Sequence, residues 1–339
     1  MSVKRLSALV GVAALAAGLA ACGSSDGSGN KGSMQVMMYP GVAYRLPVIV
    51  AQEKGFFEDR GVKINIIAQP NNLQGVQAIE ATKSQAGMMS TATLAQGVQA
   101  GSEVQAFCGG LEVTQSSIIA PADTTLPSVH DGATAEQVLS AINGLKVGAQ
   151  TPVGSGFQVM LDSALKEGGA TNLTWVNVGG SNSVTQASLQ NGSVDVAQSS
   201  PSGTQQLVET GVAKELAYLP DSSELYGQMY GSPWVGPTAW LKDNAETAKG
   251  FCDATADGLA FIQDPQNHDE VLKISMKDTG ITDEKVADAV LETYSRGYSA
   301  DLSTDVLQKT FDKYVELGIV KPEPALDASK LVNTVGRQQ

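Results

Sequence analysis

Val36 to Ile67 reads VMMYPGVAYRLPVIVAQEKGFFEDRGVKINII, and the succession of patterns in it sets the fold. Val36-Met37-Met38-Tyr39 is an apolar strand, and Tyr39 to Tyr44 is a turn-rich loop. A helix is expected from about Arg45 to Lys54, stopped by Gly55, with Phe56 and Phe57 folding back on the core. Val62, Ile64 and Ile66 then alternate with Lys63, Asn65 and Ile67, the period-2 pattern of a strand.

The same succession returns later in the chain. Leu145 to Ala149 is a strand, and Thr151-Pro152-Val153-Gly154-Ser155-Gly156 is a loop. A helix runs to about Lys166, Gly168-Gly169 stops it, and Leu173 to Val178 is a strand. Val36 and Val62 stand as far apart as Val147 and Leu173. Met88-Met89-Ser90 and Ala197-Gln198-Ser199-Ser200 each end a strand at small hydroxyl residues, and Ser90 to Gly101 spans the same length as Ser200 to Gly211. The shared offset of about 110 residues predicts two β-α-β-α-β units of similar build.

Strand–helix alternation with short glycine-bearing turns implies an α/β protein of two lobes, each a mixed, mostly parallel sheet flanked by helices. Gln115 to Ala120 is the expected outgoing crossover strand, followed by the loop Pro121 to Ala133. Gly231 to Leu241 is the expected return. Beyond Asp243 the pattern is helical to the end, and this tail is placed on the first lobe. Residues 34–120 and 235–339 then form lobe 1, and residues 121–234 form lobe 2.

Upstream of the fold, Lys4 and Arg5 precede an uncharged apolar run from Leu6 to Ala21. The run has the length of a signal-peptide core and is short for a permanent membrane span. It ends in Leu19-Ala20-Ala21-Cys22, which resembles the lipobox of bacterial lipoproteins. The resemblance implies a signal peptide over residues 1–21 and a lipid on Cys22. A plain secretory signal with an incidental cysteine is the alternative. Residues 22–33, rich in Gly and Ser, read as a flexible tether. The expected place is the outer face of a bacterial cell membrane, held by the N-terminal lipid alone.

Of 22 Lys+Arg, Lys4 and Arg5 leave with the signal, so 20 remain against 35 Asp+Glu. That balance argues against nucleic acid or an anionic lipid surface as a partner of the bulk field. About 305 residues beyond the tether exceed what one core usually holds, which favours two lobes in a monomer. Cys108 and Cys252 lie outside any CxxC or Cys/His cluster, so no metal site is indicated. In an oxidising compartment they pair as a disulfide or stand as buried thiols.

Three motifs in order carry a family resemblance: Leu46–Ile67 (LPVIVAQEKGFFEDRGVKINII), Ile142–Gly148 (INGLKVG) and Leu189–Ala197 (LQNGSVDVA). Together they resemble the sulfonate/nitrate/thiamine-precursor class of ABC transporter substrate-binding proteins, of the periplasmic-binding-protein type 2 fold, from Met34 to the C-terminus. The resemblance implies two lobes closing on a small solute, which is then delivered to a permease and ATPase complex. One departure is that Ala81-Thr82-Lys83-Ser84-Gln85-Ala86-Gly87 lacks the Gly and Asp usual to the third motif, which leaves the register of that strand open. A lipoprotein sensor or docking protein on the same fold is the alternative role.

No enzyme is expected and no cofactor is implied. His130 and His268 have no Ser or Cys partner by pattern, and Thr151 to Gly156 lacks a P-loop lysine. Candidate ligand contacts lie beyond the carboxyl ends of the strands, at the loops leading into helices. Tyr39, Gly41, Tyr44 and Arg45 follow the first strand, where aromatic faces and one cation suit a flat organic anion. Arg45 as a solvated residue of the first helical turn is the plain alternative. Thr151, Gly154 and Ser155 open a helix whose free N–H groups favour an anion, or act as simple caps. Ser90, Thr91, Ser199 and Ser200 hold matched strand ends, and each is a cap or a contact. Trp234 walls the cleft or packs at the hinge. Glu112 would be the counter-charge for a cationic solute, and a pyrimidine-like one is a further option.

Replacing Cys22 by Ala should abolish incorporation of labelled palmitate and release the protein or leave its signal uncut. Label on the Cys22→Ala protein would end the lipoprotein reading.

Overall fold

The computed structural model describes residues 32–69, 72–81 and 83–336; the signal segment, Cys22 and nearly all of the tether fall outside that range. Among the described residues, ten strands form two five-stranded sheets. The first sheet holds β1 (Ser33–Met38), β2 (Lys63–Ala68), β3 (Ala86–Met88), β4 (Val104–Leu111) and β10 (Ser232–Pro237), in the order β2-β1-β3-β10-β4. The second holds β5 (Ser117–Pro121), β6 (Lys146–Ala149), β7 (Thr174–Asn177), β8 (Val196–Ser199) and β9 (Ala213–Tyr218), in the order β7-β6-β8-β5-β9. The orders are equivalent, so the duplication read from the spacing is a duplication of fold.

The helix expected after the first strand spans Leu46–Glu53, preceded by a 3-10 turn at Ala43–Arg45. Gly55 follows at φ 79°, a left-handed conformation that suits a residue without a Cβ. The reversal returns Phe57 to the core, stacked on Phe251 at 5.6 Å between ring centroids. Its second-lobe counterpart, Gly156–Glu167, is capped by Ser155.

The strand whose register was open is resolved by one side chain. In the second lobe the Lys146 N–H donates to the Asp195 carboxylate at 2.8 Å, and the Asp195 N–H donates to the Lys146 carbonyl. In the first lobe the Gln35 N–H donates to the Gln85 side-chain oxygen at 2.7 Å, and the Gln85 N–H donates to the Gln35 carbonyl. Gln85 therefore does with an amide what Asp195 does with a carboxylate. β3 pairs with β1 (Val36↔Ala86) as β8 pairs with β6 (Val147↔Val196).

Each sheet takes its one antiparallel strand from the crossing chain. β5 lies between β8 and β9, and β10 lies between β3 and β4. The expected lobe boundaries at 120/121 and 234/235 therefore cut through strands: all of β5 belongs to the second sheet and all of β10 to the first. An apolar run looks the same in either sheet, and only pairing assigns it. Ser117, the first residue of β5, pairs with Ser199 and Tyr218, the last residues of β8 and β9. Ser232, the first of β10, pairs with Leu111, the last of β4. Both crossings thus join the carboxyl edge of one sheet to the carboxyl edge of the other. They are also tied to each other, since the Leu219 N–H donates to Ser116 (2.8 Å) and the Gly231 N–H donates to Glu112 (3.1 Å). A Cβ on Gly231 would stand 2.5 Å from the Val113 carbonyl oxygen, so this contact needs glycine.

The tail departs from the expectation of a purely first-lobe position. The helix Ala245–Gln263 packs on the first lobe, where Phe251 and Ala254 share a core with Met34, Val36 and Leu46. The helix Glu284–Ser295 reaches the second lobe, with Lys285 on Glu209 at 2.6 Å. In the helix Thr304–Glu316, Leu307, Phe311 and Tyr314 join a core holding Leu94 of the first lobe and Leu161 of the second. Its apolar stripe covers both lobes at once, which no linear pattern distinguishes from covering one.

Cys108 on β4 and Cys252 on the helix Ala245–Gln263 form a disulfide, with 5.6 Å between Cα atoms and 144 residues of separation. Reduction should lower stability by about 4–5 kcal/mol in the chain-entropy model. The unreduced, denatured protein should show no free thiol in its folded domain, and a urea midpoint unmoved by reductant would contradict the bridge.

Candidate functional site

Because both crossings run between carboxyl edges, the loops that follow β1, β2 and β3 face those that follow β6, β7 and β8. Helix starts lie on both sides of this cleft. The first-lobe wall is aromatic. Tyr39 and Tyr44 meet edge-to-face at 6.3 Å, and the Tyr44 hydroxyl accepts the Tyr39 N–H at 2.8 Å. The Tyr39 hydroxyl is bonded to the Gln69 side chain, which follows β2. Gly41 is exposed in the same loop.

Two further tyrosines belong to this wall and were missed from the sequence. Tyr294 and Tyr298 stack at 6.3 Å, and the Tyr298 hydroxyl donates to the Ala43 carbonyl at 2.6 Å. Tyr294 crosses the cleft to hydrogen-bond Ser202 in the first turn of the second-lobe helix Pro201–Glu209. Burial pushes its hydroxyl up to about 12, against the opposing pull of Ser202, and burial also raises Tyr39 and Tyr44. All three are therefore neutral hydroxyls at physiological pH. Tyr294 ends a helix and Tyr298 follows the turn at Gly297, some 250 residues beyond Tyr44, so only the tertiary fold brings them here.

Three of the candidate hydroxyls, Ser90, Ser155 and Ser200, are caps. Ser90 accepts the Thr93 N–H at 3.2 Å, Ser155 accepts from Gln158, and Ser200 accepts from Gly203. The Ser155 hydroxyl donates to Thr151 at 2.8 Å, and Gly154 donates its N–H to Gln158. Ser199 is buried and donates to the Ser200 carbonyl at 3.2 Å. Capping leaves other first-turn N–H groups of these helices open to a ligand. Thr91 faces elsewhere: its N–H and hydroxyl both go to the Gly231 carbonyl, at 3.0 and 3.3 Å, anchoring the return crossing.

Two expectations are corrected. Trp234 is 1% exposed and meets Phe251 edge-on at 5.1 Å, so it is a core residue of the first lobe. Arg45 is 9% exposed and grips Asp278 in a bidentate pair, Nε to Oδ2 at 2.8 Å and Nη2 to Oδ1 at 2.5 Å. Its charge is cancelled by a carboxylate from the tail, which lies 233 residues away and could not be paired with it by spacing. Glu112 is exposed at the crossing. His130 and His268 are exposed and lie beside Glu215 and Asp288, each at 3.1 Å. Among the described residues no group of His, Cys, Asp and Glu could hold a metal ion, and no helix is long and apolar enough to cross a membrane.

Two facing sheets of equivalent order, joined by paired crossings, define a two-lobed protein of the periplasmic-binding-protein fold. The chain belongs to the NMT1/THI5-like family, whose model matches residues 43–268. Solved structures share the fold at low identity. The periplasmic aliphatic sulphonate-binding protein SsuA of Escherichia coli is 15% identical, with a TM-score of 0.70 over 89% of this chain and 92% of that one. The alkanesulfonate-binding SsuA of Xanthomonas axonopodis pv. citri, bound to MOPS, is 15% identical, with 0.67 over 89% and 98%. The periplasmic nitrate-binding protein NrtA of Synechocystis PCC 6803 is 12% identical, with 0.65 over 90% and 86%. No curated protein matches the chain.

Breaking a buried ion pair strands the remaining charge, so Arg45→Ala should lose about 3–5 kcal/mol of stability. The double change Arg45→Met with Asp278→Leu should lose much less. Urea denaturation checks both, and an Arg45→Ala protein as stable as wild type would show that the pair is not desolvated.

Proposed function

We propose that the chain is an extracytoplasmic, lipid-anchored solute-binding protein that delivers a small organic solute to an ABC importer and catalyses no reaction. The observation that carries this reading is the pair of crossings between carboxyl edges, which opens an interlobe cleft where both lobes offer helix starts. Membership in the NMT1/THI5-like family supports it, as do fold neighbours named for binding sulfonates and nitrate. A solute held between the lobes stabilises whichever arrangement it binds best, which is all that closure requires.

The solute we favour is an organic acid with a flat body, its oxyanion at the helix starts near Ser155 and Ser200 and its body against Tyr39 and Tyr44. With Arg45 neutralised by Asp278, the affinity for an anion rests on backbone N–H groups and tyrosine hydroxyls. Such a site discriminates by hydrogen-bond geometry more than by charge.

A thermal-shift screen of sulfonates, aromatic carboxylates, nitrate, pyrimidines and amines tests this, because a ligand of the native state alone must raise the melting temperature. At a concentration of about 100 Kd the gain is about 2.7 kcal/mol. An organic acid should give the largest shift, weakened several-fold by Tyr44→Ala. Shifts confined to amines would remove the acid from the reading.

A further inference from the structure

The helix Glu284–Ser295 is held to the two lobes by different kinds of contact. Its buried residues Val286, Ala287, Val290, Leu291 and Tyr294 join the core of the first lobe with Met38 and Leu46, and among the described residues that core takes none from the second lobe. Toward the second lobe the helix offers polar groups. Lys285 pairs with Glu209 at 2.6 Å, the Tyr294 hydroxyl meets Ser202, and Arg296 pairs with Asp221. The facing helix Pro201–Glu209 turns Ser202, Gln206 and Glu209 to a cavity of about 430 Å³ whose other wall includes Asp283 and Val286. A further cavity of about 470 Å³ has Gln205 of that helix on one side and Ala289 and Thr293 on the other. Water therefore has room along the seam between the two helices.

The next tail helix is attached differently. In Thr304–Glu316, Leu307, Phe311 and Tyr314 share one core with Leu94 of the first lobe and Leu161 of the second. The Thr310 hydroxyl accepts the N–H of Tyr230, beside the return crossing, at 2.9 Å. Parting the lobes here would return apolar surface to water, whereas polar pairs that separate exchange each other for water at little net cost. The two ends of Glu284–Ser295 differ as well. Just past its C-terminus the Glu112 N–H donates to the Gly297 carbonyl at 2.8 Å and the Ser299 N–H to the Gly110 carbonyl at 3.0 Å, which ties that end to the outgoing crossing. Lys285 stands roughly 16 Å along the helix from Arg296. When the lobes turn about the crossings, the Lys285–Glu209 pair separates more than the Arg296–Asp221 pair.

We infer that the lobes part along the seam between the helices Glu284–Ser295 and Pro201–Glu209, turning about the crossings and the helix Thr304–Glu316, with Lys285–Glu209 as the latch. The seam is then the way into the cleft for the solute proposed above, and Tyr294 leaves Ser202 as it opens.

Small-angle X-ray scattering of the whole mature protein without solute tests this, whatever solute the cleft takes. Lys285→Glu turns attraction into repulsion and should raise the open population about two- to fivefold, the range of an exposed ion pair, read as a larger radius of gyration. Lys285 is exposed, so this variant should fold as wild type. Exchanging the charges, Lys285→Glu with Glu209→Lys, should restore the wild-type radius. Lys313→Glu breaks the Lys313–Glu167 pair at the helix Thr304–Glu316 and should leave the radius unchanged, because apolar burial holds that side. A radius unmoved by Lys285→Glu would overturn the proposal, as would an equal change from Lys313→Glu. Either result leaves the solute reading standing, since the thermal-shift screen tests it separately.

Discussion

The arrangement depends on one set of backbone hydrogen bonds, those that seat β5 between β8 and β9. An antiparallel partner can enter only from the carboxyl edge of its parallel neighbours. The chain leaving β4 at Leu111 must therefore arrive at that edge of the second sheet within the few residues before Ser117. β10 meets the same constraint on the way back. Two short crossings, hydrogen-bonded together and closed tightly around Gly231, leave the sheets no option but to face edge to edge. The cleft follows from strand pairing and exists before any ligand-binding group is placed in it.

The repeat was legible because parallel β-α-β units demand a fixed sequence of apolar strand, glycine stop and helix, and spacing survives where identity does not. The single gap in the repeat, at Gln85, is chemically conservative: an amide oxygen accepts the same N–H that the Asp195 carboxylate accepts. What spacing could not reveal are relations that bring remote segments together. Arg45 looked available because its partner, Asp278, lies in the tail. Trp234 looked like a cleft wall because it neighbours the crossing, but alternation along β10 turns it toward Phe251. Tyr294 and Tyr298 flank the turn at Gly297, which marks a helix end but says nothing of the cleft.

Loss of the free arginine changes the character of the cleft. Its recognised groups are neutral tyrosine hydroxyls, serine caps and helix starts, against a chain of net charge −13. Neutral dipoles fixed in place lose little to desolvation when a solute enters, and salt screens them weakly. The caps also give rigidity, since each hydroxyl that holds a helix start holds the N–H groups beside it in a set direction.

The disulfide has a topological consequence. Cys108 precedes the outgoing crossing and Cys252 follows the return, so the entire second sheet and its helices lie within one covalently closed loop. The second lobe is in effect an insertion whose two ends are clamped at the first. A protease that nicks it once cannot separate the pieces, and a second lobe that opens does so as a bead on a short ring. Its search back to the folded form starts with its ends already held together.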